Sequence, residues 1–409
     1  MPGSNRIRVV RWLLAIILWV SAAAQSASFD EQFHRGLLAL QNNDLTAATQ
    51  SLEQASRLQP ENPRVWAALA QAYLRSKQAD PANAAAKRAE SLAADDPVVQ
   101  HALAIFFSET GDLARAADLE RRFASGKAAD PQAAARAAML SLQAGEPQQA
   151  ITWARAALSQ SDSADMHHLL GKAEEATNQP EAALAELSKA VELAPYDEGF
   201  TFDLGQALLH RGDFAGSLGF FETARARFSR SAQIELAYGV ASYGQRRFRD
   251  AIASFLRVTQ LDPSIEQPYI FIGKMLENAD DLMPAVLSTY SAWATAEPSN
   301  YLPWFLHAKA LNASLGDAAQ SEAELRRSIR LNPNFWESHL ELGIVLMSRQ
   351  QWPEAASELS RAIALDGKKP KPHFQLARVY NHLGKREQAQ AELAEFKRLS
   401  ASETESPVP

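Results

Sequence analysis

Residues 63–96 read PRVWAALAQAYLRSKQADPANAAAKRAESLAADD, and their spacing decides the fold. Trp66, Leu69, Ala70 and Tyr73 stand three or four apart and so share one face of a helix. After a polar turn, Ala82, Ala86 and Ala89 repeat that spacing on a second helix. The same register returns about every thirty-four residues along the chain. A hairpin of this kind cannot bury its apolar face alone, so copies must stack into one continuous core.

With Pro63 as the first place of a repeat, the others begin at Phe29, Pro97, Pro131, Ala164, Glu198, Ala232, Glu266, Tyr301, Trp336 and Pro370. Eleven repeats then occupy residues 29–403 and leave no room for a separate domain. The eighth place always holds a tiny residue, glycine at Gly36, Gly171, Gly205, Gly239, Gly273 and Gly343 and alanine elsewhere. Glycine inside a helix costs about 1 kcal/mol relative to alanine, so its recurrence predicts close approach of the second helix. Twelve places on, Ala48, Ala82, Ala116, Ser217, Ala251 and Ala285 predict small-on-small packing between the two helices. Gly111-Asp112, Gly145-Glu146 and Gly212-Asp213 mark the turns, and prolines such as Pro81, Pro147, Pro180 and Pro353 open second helices.

This grammar resembles the tetratricopeptide repeat family, whose pattern is W-x₂-L-G-x₂-Y…A-x₃-F…P. Trp66, Leu69, Ala70, Tyr73 and Ala82 carry it in the second repeat; Leu204, Gly205 and Phe221 in the sixth; Gly239, Ala251, Phe255 and Pro263 in the seventh. The resemblance implies an all-α, right-handed superhelical solenoid of about eleven helix-turn-helix repeats, with a concave binding surface lined by the first helices. Repeats nine and ten depart most. Tyr301–Phe335 carries an extra residue, and Gln320 and Glu324 fall at small and apolar places unless the second helix is shifted by one.

The two ends of the chain read differently from the array. Arg6, Arg8 and Arg11 precede the apolar run Trp12–Val20 and the small residues Ser21–Ala24. That order is the pattern of a secretory signal peptide (1–24) cleaved near Ala24, and it predicts an exported, periplasmic or secreted protein. The apolar run is too short to span a bilayer, which favours cleavage, and no later stretch is apolar enough to span one, so no membrane insertion of the mature chain is expected. The polar, proline-bearing end predicts a disordered tail at 404–409, with the loss of order starting near Ser400. A formal net charge of −7 argues against nucleic acid as a partner. With no cysteine, disulfides, thiolate metal sites and cysteine nucleophiles are excluded.

No nucleophile elbow, zinc-protease motif or phosphate loop is present, and no cofactor is expected. His167, His339 and His373 fall at the fourth place, where Trp66 stands in the second repeat, and read as packing residues. The pair His167-His168 points two ways on a helix and cannot share a metal. Function is left to the groove face, at places two, five, nine and twelve of the first helices. Its candidate binding residues are Phe33, Leu37, Phe202, Gln206, Leu236, Val240, Tyr243, Phe305, Leu340, Ile344 and Phe374. Phe202, Leu236, Val240 and Tyr243 are expected to form one patch with Gln206 and Gln233 as its polar rim. A regular Lys/Asn arrangement for gripping a peptide's terminal carboxylate is missing from the stripe. The expected function is a non-catalytic exported scaffold that binds a peptide or protein in its groove. A self-assembling structural protein and an accessory factor of a carbohydrate- or protein-modifying enzyme are the alternatives.

Overall fold

A computed structural model describes residues 28–92, 95–126 and 130–405. Residues 1–24, read above as a signal peptide, lie outside them. All regular structure among the described residues is helical, arranged as consecutive antiparallel hairpins. First helices begin at Pro63, Pro97, Pro131, Ala164, Glu198, Ala232, Gln267, Tyr301, Trp336 and Pro370. Local chemistry explains these starts. The side chains of Asn62, Asp96 and Asp130 accept hydrogen bonds from the first free N–H groups, and a proline follows each. Asp44, Asp112, Asp213 and Asp317 cap second helices in the same way.

The turn inside each hairpin has one backbone requirement. Its fifteenth residue takes positive φ in all eleven repeats: Asn43, Lys77, Gly111, Gly145, Asn178, Gly212, Arg246, Asp280, Leu315, Gln350 and Gly384. Glycine meets that requirement without strain at four of these positions, and the remaining side chains accept a disfavoured conformation to close the hairpin.

The chain forms two compact halves, divided between Phe200 and Thr201. The N-terminal half is built largely on alanine: Ala48, Ala70, Ala82, Ala86, Ala104, Ala138 and Ala150 are fully buried. The C-terminal half uses larger residues, with Phe221, Phe255, Tyr290, Leu325 and Leu359 completely enclosed. The small residue at place eight has a different partner from the one its spacing suggested. Over Gly36, Gly171, Gly239 and Gly343 lie the side chains of Leu52, Leu187, Phe255 and Leu359, each sixteen residues on. A β-carbon on Gly343 would sit 2.6 Å from Leu359 Cγ. The packing is therefore a large knob on a bare backbone, and the alanines twelve places on fill the seam beside it.

Two repeats deviate. In the ninth, Ser321, Leu325 and Ser328 are buried, so the second helix is shifted by one residue and absorbs the extra one. The eighth deviates more, and its sequence did not announce it. Its first helix stops after Gln267–Lys274, and two 3₁₀ turns, Leu276–Asn278 and Asp280–Leu282, lead to Met283. The tighter turns put Met275, Leu276 and Ala279 into the core together. The second helix is again shifted by one, so Ala285 is exposed and Val286 and Tyr290 are buried in its stead. Leu306 of the ninth repeat closes over Gly273, and Lys309 donates its ammonium to the Gly273 carbonyl at 2.8 Å. A cation at the broken helix end offsets the exposed carbonyl dipoles.

The last helix runs Arg386–Glu405, well past Ser400. Neither glycine nor proline interrupts the chain between Arg386 and Pro407, so nothing stops the helix where the composition suggested a tail. Residues 406–409 lie outside the described part.

Candidate functional site: a pocket on the groove face

Residues 202–267 of the C-terminal half, mostly on the three successive first helices Glu198–His210, Ala232–Gly244 and Gln267–Lys274, build one pocket. Residues at places two, five and nine recur on the same side of each, and stacking sets them edge to edge. The pocket encloses ≈ 420 Å³. Phe202, Leu209, Phe214, Leu236, Ala237 and Val240 form its apolar walls, and Gln206, Gln233, Gln267 and His210 its rim. No aspartate, glutamate, lysine or arginine lines it. Burying apolar surface there is favourable by roughly 25 cal/mol per Å². The three amides can fix the orientation of whatever enters.

Five residues chosen from spacing therefore meet here: Phe202, Gln206, Leu236 and Val240, with Gln233 at the rim. Tyr243 belongs to the same helix but not to the pocket. Its ring leans on Phe248 and Phe271, both 5.8 Å away, and Phe271 stacks on Phe255. Leu209, Phe214 and Gln267 are members that spacing alone did not single out. Leu209 is at place twelve of the stripe and Gln267 at place two, so both were within reach of the pattern. Phe214 opens a second helix, which the groove rule does not cover.

The remaining candidates fall elsewhere. Phe305 and Leu340 are core residues; Phe335 meets the Phe305 ring edge-on at 5.0 Å and shuts that part of the stripe. Phe33 and Leu37 are half-buried against the N-terminal core, with Phe33 stacked on Phe29. Phe374 is partly exposed and lies against Phe396. Ile344 lines a second, polar cavity of ≈ 560 Å³ with Lys309, Asn312, Glu341 and Lys371. Burial pulls the Lys309 amine below its ordinary value, and buried Glu341 faces Lys371 at 3.5 Å.

Five histidines serve the hairpin seams. His167, His339 and His373 turn Nδ1 to Glu186, Glu358 and Glu392, each nineteen residues on across the hairpin. His101 meets Glu120 in the same way, and His307 meets Glu324. Among the described residues no three metal-ligating side chains converge, and no helix is long and apolar enough to cross a membrane.

Stacked helix hairpins define a helical-repeat scaffold, a class typically used without catalysis to hold other proteins. Tetratricopeptide repeat models match residues 39–105, 135–198, 168–225, 202–264 and 313–370, more than half of the chain. The chain belongs to the tetratricopeptide repeat family. A search of curated proteins returns no match. Solved structures similar to it include the C-terminal part of a repeat protein from Cytophaga hutchinsonii, 15% identical over 67% of this chain and 98% of that one, TM-score 0.46. The yeast Tom70 is 14% identical over 92% of each chain, TM-score 0.38. A repeat protein of Thermus thermophilus is 20% identical over 42% of this chain and 92% of its own, TM-score 0.37.

Proposed function

We propose that this protein is a non-catalytic, exported adaptor that holds a peptide or protein partner on its groove face, centred on the pocket between Phe202 and Val240. Its setting is envelope assembly, secretion or the building of a larger complex. One observation carries the reading: an apolar pocket with three unengaged glutamine amides stands open on the face that family members turn to their partners. Apolar residues that served only to join neighbouring repeats would be covered as Phe305 and Leu340 are. Interfaces concentrate their energy in a few such anchors, where truncation costs about 2 kcal/mol or more. Export rests on the order of charges, apolar run and small residues in 1–24.

The test immobilises residues 25–409 and compares capture from envelope extract with capture by Phe202→Ala and Leu236→Ala. The reading expects one partner to be lost from both variants while their helicity and melting temperature stay near wild type. Retention of every captured protein by folded variants would refute it. For export, the mass of the protein purified from its native source should correspond to a chain beginning near Gln25; an intact Met1 or Pro2 end would contradict it.

A further inference from the structure

Place four of the first helix is a donor position. Trp66 and Trp304 each give their indole N–H to the carbonyl six residues back, Pro60 at 2.8 Å and Pro298 at 3.3 Å. Tyr269 gives its hydroxyl to the Pro263 carbonyl in the same way, at 3.3 Å. In the tenth and eleventh repeats the residue is histidine. Nε2 of His339 and His373 stands 3.2 and 3.3 Å from the carbonyls of Pro333 and Gly367. Tryptophan can only donate, so the carbonyl at this spot takes a hydrogen, and each histidine matches it by carrying one on Nε2.

The other ring nitrogen then meets a second acceptor. Nδ1 of His339 is 2.7 Å from Glu358 Oε2, and Nδ1 of His373 is 2.6 Å from Glu392 Oε2. A neutral imidazole with its hydrogen on Nε2 has a bare lone pair on Nδ1, which would face the carboxylate with no hydrogen between them. Both rings are buried, where an unmatched nitrogen is unfavourable. An imidazolium donates from both nitrogens and answers both acceptors. His167 of the fifth repeat is held between two carboxylates, Nε2 2.7 Å from Asp162 Oδ1 and Nδ1 against Glu186 Oε2. Glutamate stands nineteen residues after place four in these three repeats and in no other; after Trp66 and Trp304 that position is alanine. Of the charged groups nearby, Glu395 also faces His373 and is itself paired with Arg398, and Glu186 faces Glu174, which bonds Arg155. Among the described residues no ionic side chain other than Glu358 pairs with His339.

We infer that His167, His339 and His373 are imidazolium ions in the folded chain, each paired with a glutamate across its hairpin, so that protons lock these three hairpins and their loss loosens them. A histidine in the unfolded chain releases its proton near about pH 6.5. The folded chain then keeps protons that the unfolded chain has given up. The pairs therefore contribute fully below about pH 6.5, and that contribution is lost as pH rises above it. Within that window each retained proton raises the unfolding equilibrium constant by up to about tenfold per pH unit.

The test is nitrogen NMR of the purified protein with isotope-labelled histidine, in which neutral and imidazolium rings give distinct ring-nitrogen signals. At about pH 7.5 about nine in ten free histidines are neutral, yet at least three of the nine in this chain should be imidazolium. Glu186→Gln, Glu358→Gln and Glu392→Gln each put an amide N–H opposite Nδ1, which a neutral ring accepts, so the matching signal should turn neutral with little change of shape. In urea titrations the lead of wild type over the triple variant should be widest at about pH 6 and narrow steadily towards about pH 8. Fewer than three imidazolium rings in wild type at about pH 7.5 would overturn the inference, and that count needs no variant to fold. So would imidazolium signals unchanged in all three variants, or a urea gap that stays constant or widens as pH rises.

Discussion

Gly343→Ala and Gly219→Ala are the same substitution in the same secondary structure, and the fold predicts opposite signs for them. Both glycines are inside helices, Trp336–Ser348 and Phe214–Arg227, where replacement by alanine favours the helix by about 0.5–1 kcal/mol. At Gly219 no neighbouring atom lies within 4 Å of the new β-carbon, so the gain is realised in full. At Gly343 the β-carbon would stand 2.6 Å from Leu359 Cγ and 2.8 Å from Cδ2. Leu359 is completely enclosed, so it cannot swing into solvent to make room. Overpacking of this kind costs about 1–3 kcal/mol, and an immobile neighbour puts the cost near the upper end. The net expectation is a loss of about 2 kcal/mol for Gly343→Ala, and about 3 kcal/mol or more for Gly343→Leu. Urea titrations followed by circular dichroism should show the transition midpoint rising for Gly219→Ala and falling for both Gly343 variants. A rise for Gly343→Ala equal to that of Gly219→Ala would mean that Leu359 does not cover this helix, and the register of the tenth hairpin would be wrong.

Leu315 is almost fully exposed at φ 55°, so Leu315→Gly should relieve strain and stabilise by about 0.5–1 kcal/mol, read as a higher urea midpoint. Tyr290→Phe removes the donor to the Tyr269 carbonyl at 2.7 Å from a fully buried ring, and should lower stability by about 0.5–1.5 kcal/mol in the same titration. Burial pushes the Glu174 carboxyl above its ordinary 4.5, against the pull of Arg155. A raised folded value means that its favourable contribution is complete below the ordinary value and is lost as pH rises through the folded one. Melting temperatures of Glu174→Gln, measured from about pH 4 to 7, should therefore gain on wild type as pH rises; a gap that narrows instead would contradict the sign.

The architecture was legible because helix starts are written locally. Proline after Asn62, Asp96 and Asp130 fixes the first turn whatever the tertiary context, and the tiny residue at place eight marks the face that must be bare. The left-handed fifteenth residue was legible only at Gly111, Gly145, Gly212 and Gly384. At Lys77, Arg246 and Leu315 closing the hairpin overrides local preference, so the side chain carries no sign of it. The break after Lys274 was silent for a similar reason. Gly-Lys-Met-Leu-Glu is acceptable helix, and the departure comes with Leu306 and Lys309, from the next repeat. The groove pocket was half legible. Place five identifies Phe202, Leu236, Phe305 and Leu340 as equivalent, and periodicity cannot tell which of them a ring such as Phe335 will cover. Phe214 reaches the pocket from the second helix because its ring lies where a β-carbon on Gly244 would stand. That contact joins two hairpins and has no counterpart in the repeat pattern.

The central claim is that a partner occupies the groove pocket, and photo-crosslinking in the native cell tests it most directly. A photoreactive amino acid placed at Gln233, on the pocket rim, is compared with one at Thr223, an exposed position on a second helix. The account predicts a discrete adduct from position 233 that disappears when Phe202→Ala is added, and none from position 223. An adduct from position 223 with nothing at 233, or one at 233 that persists with Phe202→Ala, would contradict it.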